Sequence, residues 1–204
     1  AALAFGGAFS PEEGFALTAR RGELMGKATQ ERATSMAAVV KLDSAKVEEI
    51  CRRHREIYPV NYNAPGQVAV AGAVESFAAF TADVKECGGM AIPLKVSGGF
   101  HSPFMDGAAA AFSEHLKSLK LKAPQKPVYA NYTGEPYGED VGGTLACQMN
   151  HPVLWEKTVR KMAEEGYDVF IEAGVGNTLA KLIGKTLPGV RIYTTDSLVG
   201  CEKV

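Results

Sequence analysis

Histidine is the side chain whose ordinary pKa lies nearest neutrality, so the four histidines are the first candidates for proton transfer. His101 differs from the others in its surroundings. It lies in Ser97-Gly98-Gly99-Phe100-His101-Ser102-Pro103, a glycine-rich stretch between an apolar run and a helix start, where backbone can approach a ligand and a side chain can be aimed. A loop histidine serves a structural role as readily, so this one becomes chemical only in company. His54, in the charged run Arg52-Arg53-His54-Arg55, and His115, beside Glu114 and Lys117, read as solvated; His151, in Asn150-His151-Pro152, reads as a helix-start residue. The histidines and the four cysteines (Cys51, Cys87, Cys147 and Cys201) do not cluster at ligand spacings, so no metal is expected. The 204 residues contain no G-x-S-x-G elbow, P-loop or dinucleotide fingerprint. Gly174-Val175-Gly176-Asn177, after a strand pattern and before a helix pattern, could seat a phosphate on the helix N-terminus or simply form a tight turn.

The elements that would position these residues fall into two patterns. Ser10-Pro11-Glu12-Glu13 is a helix start with cap, proline and acidic first turn in place, and the helix runs towards Met25. From Ser35 to Val96 the apolar periodicity gives strand (Met36–Val40), helix capped by Asp43, strand (Pro59–Asn63), turn at Ala64-Pro65-Gly66, strand (Gln67–Gly72), helix (Glu75–Glu86) and strand (Met90–Val96). That order is the split βαβ arrangement of a ferredoxin-like domain. Beyond Ser97 the chain alternates helix and strand: helices over 103–119, 153–165 and 177–186, with strands over 128–131, 168–172 and 191–194. Apolar strands between amphipathic helices predict a mostly parallel sheet covered on both faces, and three strands are few for such a sheet.

Composition narrows the class further. Hydrophobic residues make up 46% and charged residues 22%, values of an ordinary globular protein with a substantial core. Lys+Arg 22 against Asp+Glu 23 leaves a net charge of -1, so nothing global steers the chain to nucleic acid or to an anionic membrane, and no apolar run is long enough to span one. Four widely spaced cysteines are no disulfide framework, which points to unpaired thiols and a reducing cytosol. Ala1-Ala2-Leu3-Ala4-Phe5 carries no basic stretch of a secretory signal and reads as a helix already under way, with no residue suited to cap it.

Six runs occur in order: Arg20-Arg21-Gly22-Glu23-Leu24-Met25, Met36-Ala37-Ala38-Val39, Asn61-Tyr62-Asn63-Ala64-Pro65-Gly66-Gln67-Val68, Ser97 to Met105 around Phe100-His101, Pro152-Val153-Leu154-Trp155 and Glu172-Ala173-Gly174-Val175-Gly176-Asn177. Together, and along essentially the whole chain, they closely resemble malonyl-CoA:acyl carrier protein transacylases. The resemblance implies an α/β fold: an α/β-hydrolase-like larger domain, incomplete in this chain, over residues 1–32 and 97–204, with a ferredoxin-like α+β smaller domain inserted at 33–96. It also implies a nucleophilic serine in a G-H-S-L-G-E elbow, expected just upstream of Ala1, so that this chain alone forms no acyl-enzyme.

The same resemblance assigns roles. His101 matches the general base, and Gln148 the residue whose main-chain carbonyl fixes that histidine's tautomer. Arg21 matches the arginine that holds the malonyl carboxylate, for which a planar guanidinium is suited. Phe100 matches the ring that narrows the acyl pocket, and Asn61, Asn63 and Gln67 the cleft lining. Val175 departs from the family, standing where a proline is usual. The implied activity is ping-pong malonyl transfer from malonyl-CoA to acyl carrier protein in fatty acid biosynthesis, in the cytoplasm, by a monomer needing no cofactor beyond the coenzyme A thioester it uses as substrate. Lys181 and Lys185 are candidates for touching the acidic carrier. The alternatives are an acyltransferase domain of a polyketide or fatty acid synthase, and a non-catalytic carrier-protein-binding module.

Overall fold

The structure, a computed structural model, describes residues 1–195. Helix α1 (Ala2–Phe5) is a single turn that leads through Gly6-Gly7 into α2 (Pro11–Glu31). The start of α2 follows its sequence signals: the Ser10 hydroxyl accepts the Glu13 N–H at 3.1 Å, the Glu13 carboxylate accepts the Ser10 N–H at 2.7 Å, and Pro11 fills the first helical position. The helix continues beyond Met25 because nothing in Lys27-Ala28-Thr29-Gln30-Glu31 breaks it.

A four-stranded sheet follows, built by β1 (Thr34–Val40), α3 (Ser44–Arg53), β2 (Ile57–Ala64), β3 (Gln67–Ala73), α4 (Phe77–Glu86) and β4 (Met90–Pro93). The strand order is β2-β3-β1-β4 with every neighbouring pair antiparallel, as a split βαβ unit requires. Asp43 caps α3 by accepting the Lys46 N–H at 2.7 Å, and Gly66 at φ +68 makes the β2–β3 turn. One sheet face, with Val39, Ile57, Val68 and Val70, packs on Val47 and Ile50 of α3 and on Phe80 and Val84 of α4. The other face, with Met36, Val60, Ala69 and Ala71, meets Tyr58, Leu94 and Phe100. Each large side chain so buried contributes about 1.5–3 kcal/mol before the entropy of ordering is counted.

After a 3-10 turn at Pro103–Met105 come α5 (Asp106–Lys117), the short strands β5 (Tyr129–Ala130) and β6 (Glu135–Pro136), α6 (Val141–Asn150), α7 (Trp155–Glu164), β7 (Val169–Glu172), α8 (Thr178–Thr186) and β8 (Arg191–Thr194). Leu17, Leu24 and Met25 of α2 share a core with Phe112 of α5 and Met149 of α6. Strands β7 and β8 run parallel, and Phe170 packs with Val159 of α7 and Ile183 of α8. The two parts are stitched together at β2: Val153 N–H donates to Val60 O at 2.8 Å, and Tyr62 N–H donates to Val153 O at 2.9 Å.

Four expectations change. The strand expected over 128–131 is only Tyr129–Ala130, and it pairs antiparallel with β6 instead of joining β7. Asn131 to Gly134 is turn chemistry, with Gly134 at φ +71 donating to Ala130 O at 2.8 Å. Strand β4 stops at Pro93, which has no N–H for the ladder. The helix expected from Val153 begins at Trp155, because Val153 is held in the bridge to Asn61. Helix α6 departs from the sequence pattern altogether: Gly142-Gly143 at its start disfavours helix, and what sustains it is the Asp140 cap with Val141, Ala146 and Met149 buried. Among the described residues no helix is long and apolar enough to cross a membrane. Cys51, Cys87 and Cys147 are free thiols, and Cys201 lies outside the described residues.

Two glycines separate packing from propensity. A Cβ at Gly72 would lie 2.2 Å from Ile57 Cδ1 and 3.0 Å from Glu56 O, whereas one at Gly26 in α2 would meet nothing within 4 Å. Gly72→Ala should therefore cost about 1–3 kcal/mol by overpacking, and Gly26→Ala should add about 0.5–1 kcal/mol of helix stability. Urea midpoints that move in opposite directions are the expected result.

Candidate active site

His101 sits at φ +59, in the left-handed region that non-glycine residues seldom adopt. The loop before it is held tightly. The buried Ser102 hydroxyl donates to Gly99 O at 2.6 Å, and Gly98 and Gly99 run so close to Thr29, Thr34 and Phe104 that a Cβ at Gly98 would come within 2.3 Å of Thr29 Cγ2. Only glycine backbone fits there.

The loop delivers the imidazole to the end of α6. Gln148 lies in the last turn of that helix, where a carbonyl has no N–H four residues on to satisfy it. It accepts instead from His101 Nδ1 at 2.8 Å. A carbonyl can only accept, so Nδ1 carries the hydrogen and, in the neutral ring, Nε2 keeps its lone pair. Burial pushes the His101 pKa below its usual value; the Gln148 carbonyl works in the opposite direction, and the positive charge of Arg21 pushes the pKa down again. The geometry and the electrostatics agree on a neutral imidazole with a free basic nitrogen.

Arg20 and Arg21 are adjacent in α2 and have different fates. Arg20 is tied to Glu23 at 2.7 Å on the surface. Arg21 is half-buried, burial lowers its pKa, and among the described residues it makes no ion pair and no hydrogen bond. It lines a cavity of about 250 Å³ with Ala2, Leu3, Phe112, Tyr137 and Gln148. An apolar-walled pocket with one unpaired guanidinium is a site for a small anion-bearing group. His101 lines a second cavity, a groove of about 540 Å³, with Tyr58, Tyr62, Asp106, Asn150 and His151. The 2.8 Å bond between Gln148, which lines the pocket, and His101, which lines the groove, joins the two.

The remaining candidates are distributed unevenly. Phe100 is half-buried between the α2–α5–α6 core and the open face of the four-stranded sheet. Asn61 and Gln67 pair with Ala69 and Ala64 across β2–β3, and Asn63 sits in a register irregularity between Tyr62 and Ala64. None of these three lines the pocket or the groove; Tyr58 and Tyr62 of the same strand reach the groove in their place. His151 caps the C-terminal end of α6 instead of starting a helix, bonded through Nδ1 to Cys147 O at 2.9 Å and packed against the Tyr132 ring. His54 is not solvated: its Nε2 is 2.9 Å from Asp83 Oδ2 and its ring meets Phe80 edge-on. The phosphate option at Gly174–Asn177 is closed, because the Glu172 carboxylate already accepts the Leu179 and Ala180 N–H groups at 3.1 and 2.8 Å. Sequence reasoning missed Tyr58, Tyr62 and Asn150, which no sequence signal singles out: the tyrosines read as ordinary strand residues, and the bond from Asn150 to Asp106 at 2.8 Å is made across 44 residues of chain.

Comparison with known proteins adds to this geometry. The family model described as "Acyl transferase domain" matches residues 1–202. The chain belongs to the acyl transferase domain family. The acyl transferase chain is 40% identical over 191 residues to the polyketide biosynthesis protein ThaF of Burkholderia thailandensis, a match covering 92% of this chain and 16% of that protein. Among solved structures it is similar to the malonyl CoA-acyl carrier protein transacylase of Clostridium perfringens, with a TM-score of 0.93, 32% identity, and coverage of 98% of this chain and 65% of that one. It is also similar to a malonyl-transacylase solved in complex with its type II polyketide synthase acyl-carrier protein, with a TM-score of 0.90, 28% identity, and coverage of 97% and 67%. The chain therefore spans a sixth of the first relative and about two-thirds of each solved transacylase.

The lowered pKa of His101 has a sign that can be tested. Above about pH 6.5 the ring is neutral both folded and unfolded. Below that, the unfolded chain takes up a proton that the buried ring refuses, so stability falls as pH drops through the window between 6.5 and the folded pKa. His101→Asn, a residue that tolerates positive φ, should remove this part of the slope. A urea midpoint that falls less steeply below pH 6.5 in the variant than in the wild type is expected.

Proposed function

We propose that the chain is the histidine- and arginine-bearing part of a transacylase that moves a malonyl group from malonyl-CoA to the phosphopantetheine thiol of an acyl carrier protein, in fatty acid biosynthesis. The observation that carries the reading is the pairing of His101 Nδ1 with the Gln148 carbonyl beside a pocket whose Arg21 guanidinium has no partner among the described residues. In this reading His101 Nε2 takes the proton of a serine hydroxyl as the serine attacks the thioester carbonyl, and returns it to the departing coenzyme A thiolate. The carrier's thiol then repeats the exchange in reverse, releasing the serine. In this reading the serine is that of the family's elbow motif, which the 204 residues do not contain, and these residues supply the base and the acid-binding pocket.

Arg21 receives the malonyl carboxylate through two parallel hydrogen bonds, and Phe100 restricts the width of the acyl group. Asn61, Asn63 and Gln67 belong to this reading as outer parts of the cleft, beyond the residues that touch the reacting atoms. Thioester exchange at a serine consumes no electrons and requires no metal, so coenzyme A enters as substrate and no cofactor is called for. Residues 33–96 act as the inserted smaller domain against residues 1–32 and 97–204. A monomer in the cytoplasm fits a carrier-dependent reaction and the three free thiols. The carrier as partner is supported by the transacylase solved with its acyl-carrier protein. A second reading, an acyltransferase domain within polyketide biosynthesis, is favoured by the 40% identity to a much longer polyketide protein; it keeps the same chemistry and changes only the carrier.

Arg21 gives the test. Truncating one member of a hydrogen-bonded charge pair costs about 2–5 kcal/mol, roughly 30- to several-thousand-fold in affinity. Arg21→Ala should weaken binding of malonyl-CoA by that factor and leave acetyl-CoA, which has no second carboxylate, nearly unchanged. Arg21→Lys should restore only part of the loss, since a point charge cannot reproduce the planar fork. Isothermal titration of both thioesters against the three proteins measures this; equal weakening of the two would mean that Arg21 supports the fold and not the carboxylate.

A further inference from the structure

The loop that carries His101 is clamped from outside itself by Thr34, the first residue of β1. The half-buried Thr34 Oγ1 accepts the Gly99 N–H at 2.8 Å, a bond that spans 65 residues of sequence. Gly98 and Gly99 are both buried, and the methine carbon of Thr34 would lie 3.2 Å from a Cβ at Gly99. The buried Gly99 N–H has the threonine hydroxyl as its partner. On its carbonyl side Gly99 accepts the buried Ser102 hydroxyl at 2.6 Å, so the peptide units on both sides of Gly99 are fixed by hydroxyl groups. Two residues further on the chain enters the left-handed conformation at His101, which costs free energy and persists only where the surroundings impose it.

We infer that Thr34 is a positioning residue for His101: its hydroxyl, on the first strand of the four-stranded sheet, holds the Gly98-Gly99 backbone so that the imidazole meets the Gln148 carbonyl and presents Nε2. The inference rests on the reading of His101 as the general base and deepens it, by placing part of the control of that base on the sheet that 33–96 builds. Without the hydroxyl a buried N–H is left unpaired, a cost the loop relieves by moving. The nearest conformation that can relax is the strained one at His101, and its return to negative φ swings the ring away from Gln148.

The test is nuclear magnetic resonance of the imidazole nitrogens in the 204-residue chain, with His54, His115 and His151 as internal references. Thr34→Val keeps the shape and removes the acceptor; Thr34→Ser keeps the acceptor. In Thr34→Val the His101 signals alone should lose the fixed Nδ1–H tautomer, and its pKa should rise towards the ordinary histidine value as the ring gains water. The signals of the three reference histidines should stay where they are in the wild type, and Thr34→Ser should give the wild-type His101 signals. Unchanged His101 signals in Thr34→Val would overturn the assignment. So would simultaneous loss of all four histidine environments, which would mark Thr34 as a support of the fold, or a serine variant that behaves like valine. None of these readouts involves acyl transfer, so failure of the malonyl reading at Arg21 and failure of the positioning role are separate results.

Discussion

The bond from His101 Nδ1 to the Gln148 carbonyl is the interaction on which the site depends, and its strength comes from where that carbonyl lies. The last turn of any helix leaves carbonyls without partners and gathers the negative end of the helix dipole. Helix α6 gives one of those carbonyls to the imidazole, at 2.8 Å. The acceptor fixes the tautomer, and with the tautomer fixed the opposite nitrogen is committed to accepting a proton. Alone, such a carbonyl would also favour the charged ring. Burial and the Arg21 charge oppose that, and the balance lies on the side of a neutral base.

Everything that aims the imidazole crosses the seam between the four-stranded sheet and the helices. The Gly98-Gly99 backbone leans on Thr29 of α2 and on Thr34 of β1, Phe100 packs against both cores, and β2 takes Val153 as an extra partner. Arg32, just before β1, spans the same seam: it pairs with Glu56 and Glu75 and lies 5.4 Å over the Phe104 ring, which in turn meets Tyr58 edge-on. These ion pairs are solvent-accessible and of modest strength individually. Their effect is registration: the sheet cannot shift against the helices without disturbing the loop that holds His101.

Much of this was legible in the sequence, because the elements of residues 10–96 are made by local signals. The Ser10 cap, the Asp43 cap and the alternation of β1 to β3 each act within a few residues, and the sheet order follows from the strand-helix-strand-strand-helix-strand pattern. The partners of His101 were legible only through resemblance. The Gln148 carbonyl is a backbone atom on a helix that its own glycines disguise, and no side-chain pattern announces it. Tyr58 and Tyr62 read as ordinary strand residues until β2 is seen to face the groove. The role of Glu172, the last residue of β7, was hidden for a similar reason: the phosphate-like glycine loop is conspicuous, whereas the carboxylate that fills the start of α8 comes from the strand before it.

Arg21 and His101 are linked electrostatically, since the guanidinium charge is one of the causes that lower the histidine's pKa. Arg21 is costly where it is, half-buried with no anion beside it among the described residues, and that cost appears as its lowered pKa. In the proposed reading a malonyl carboxylate beside Arg21 would relieve that cost and offset the push of Arg21 on His101, which is the smallest of the three influences on the ring after burial and the Gln148 carbonyl. The arginine therefore acts first on which acyl group is held, and the tautomer of the base is fixed independently of it, by the bond from Nδ1 to the Gln148 carbonyl.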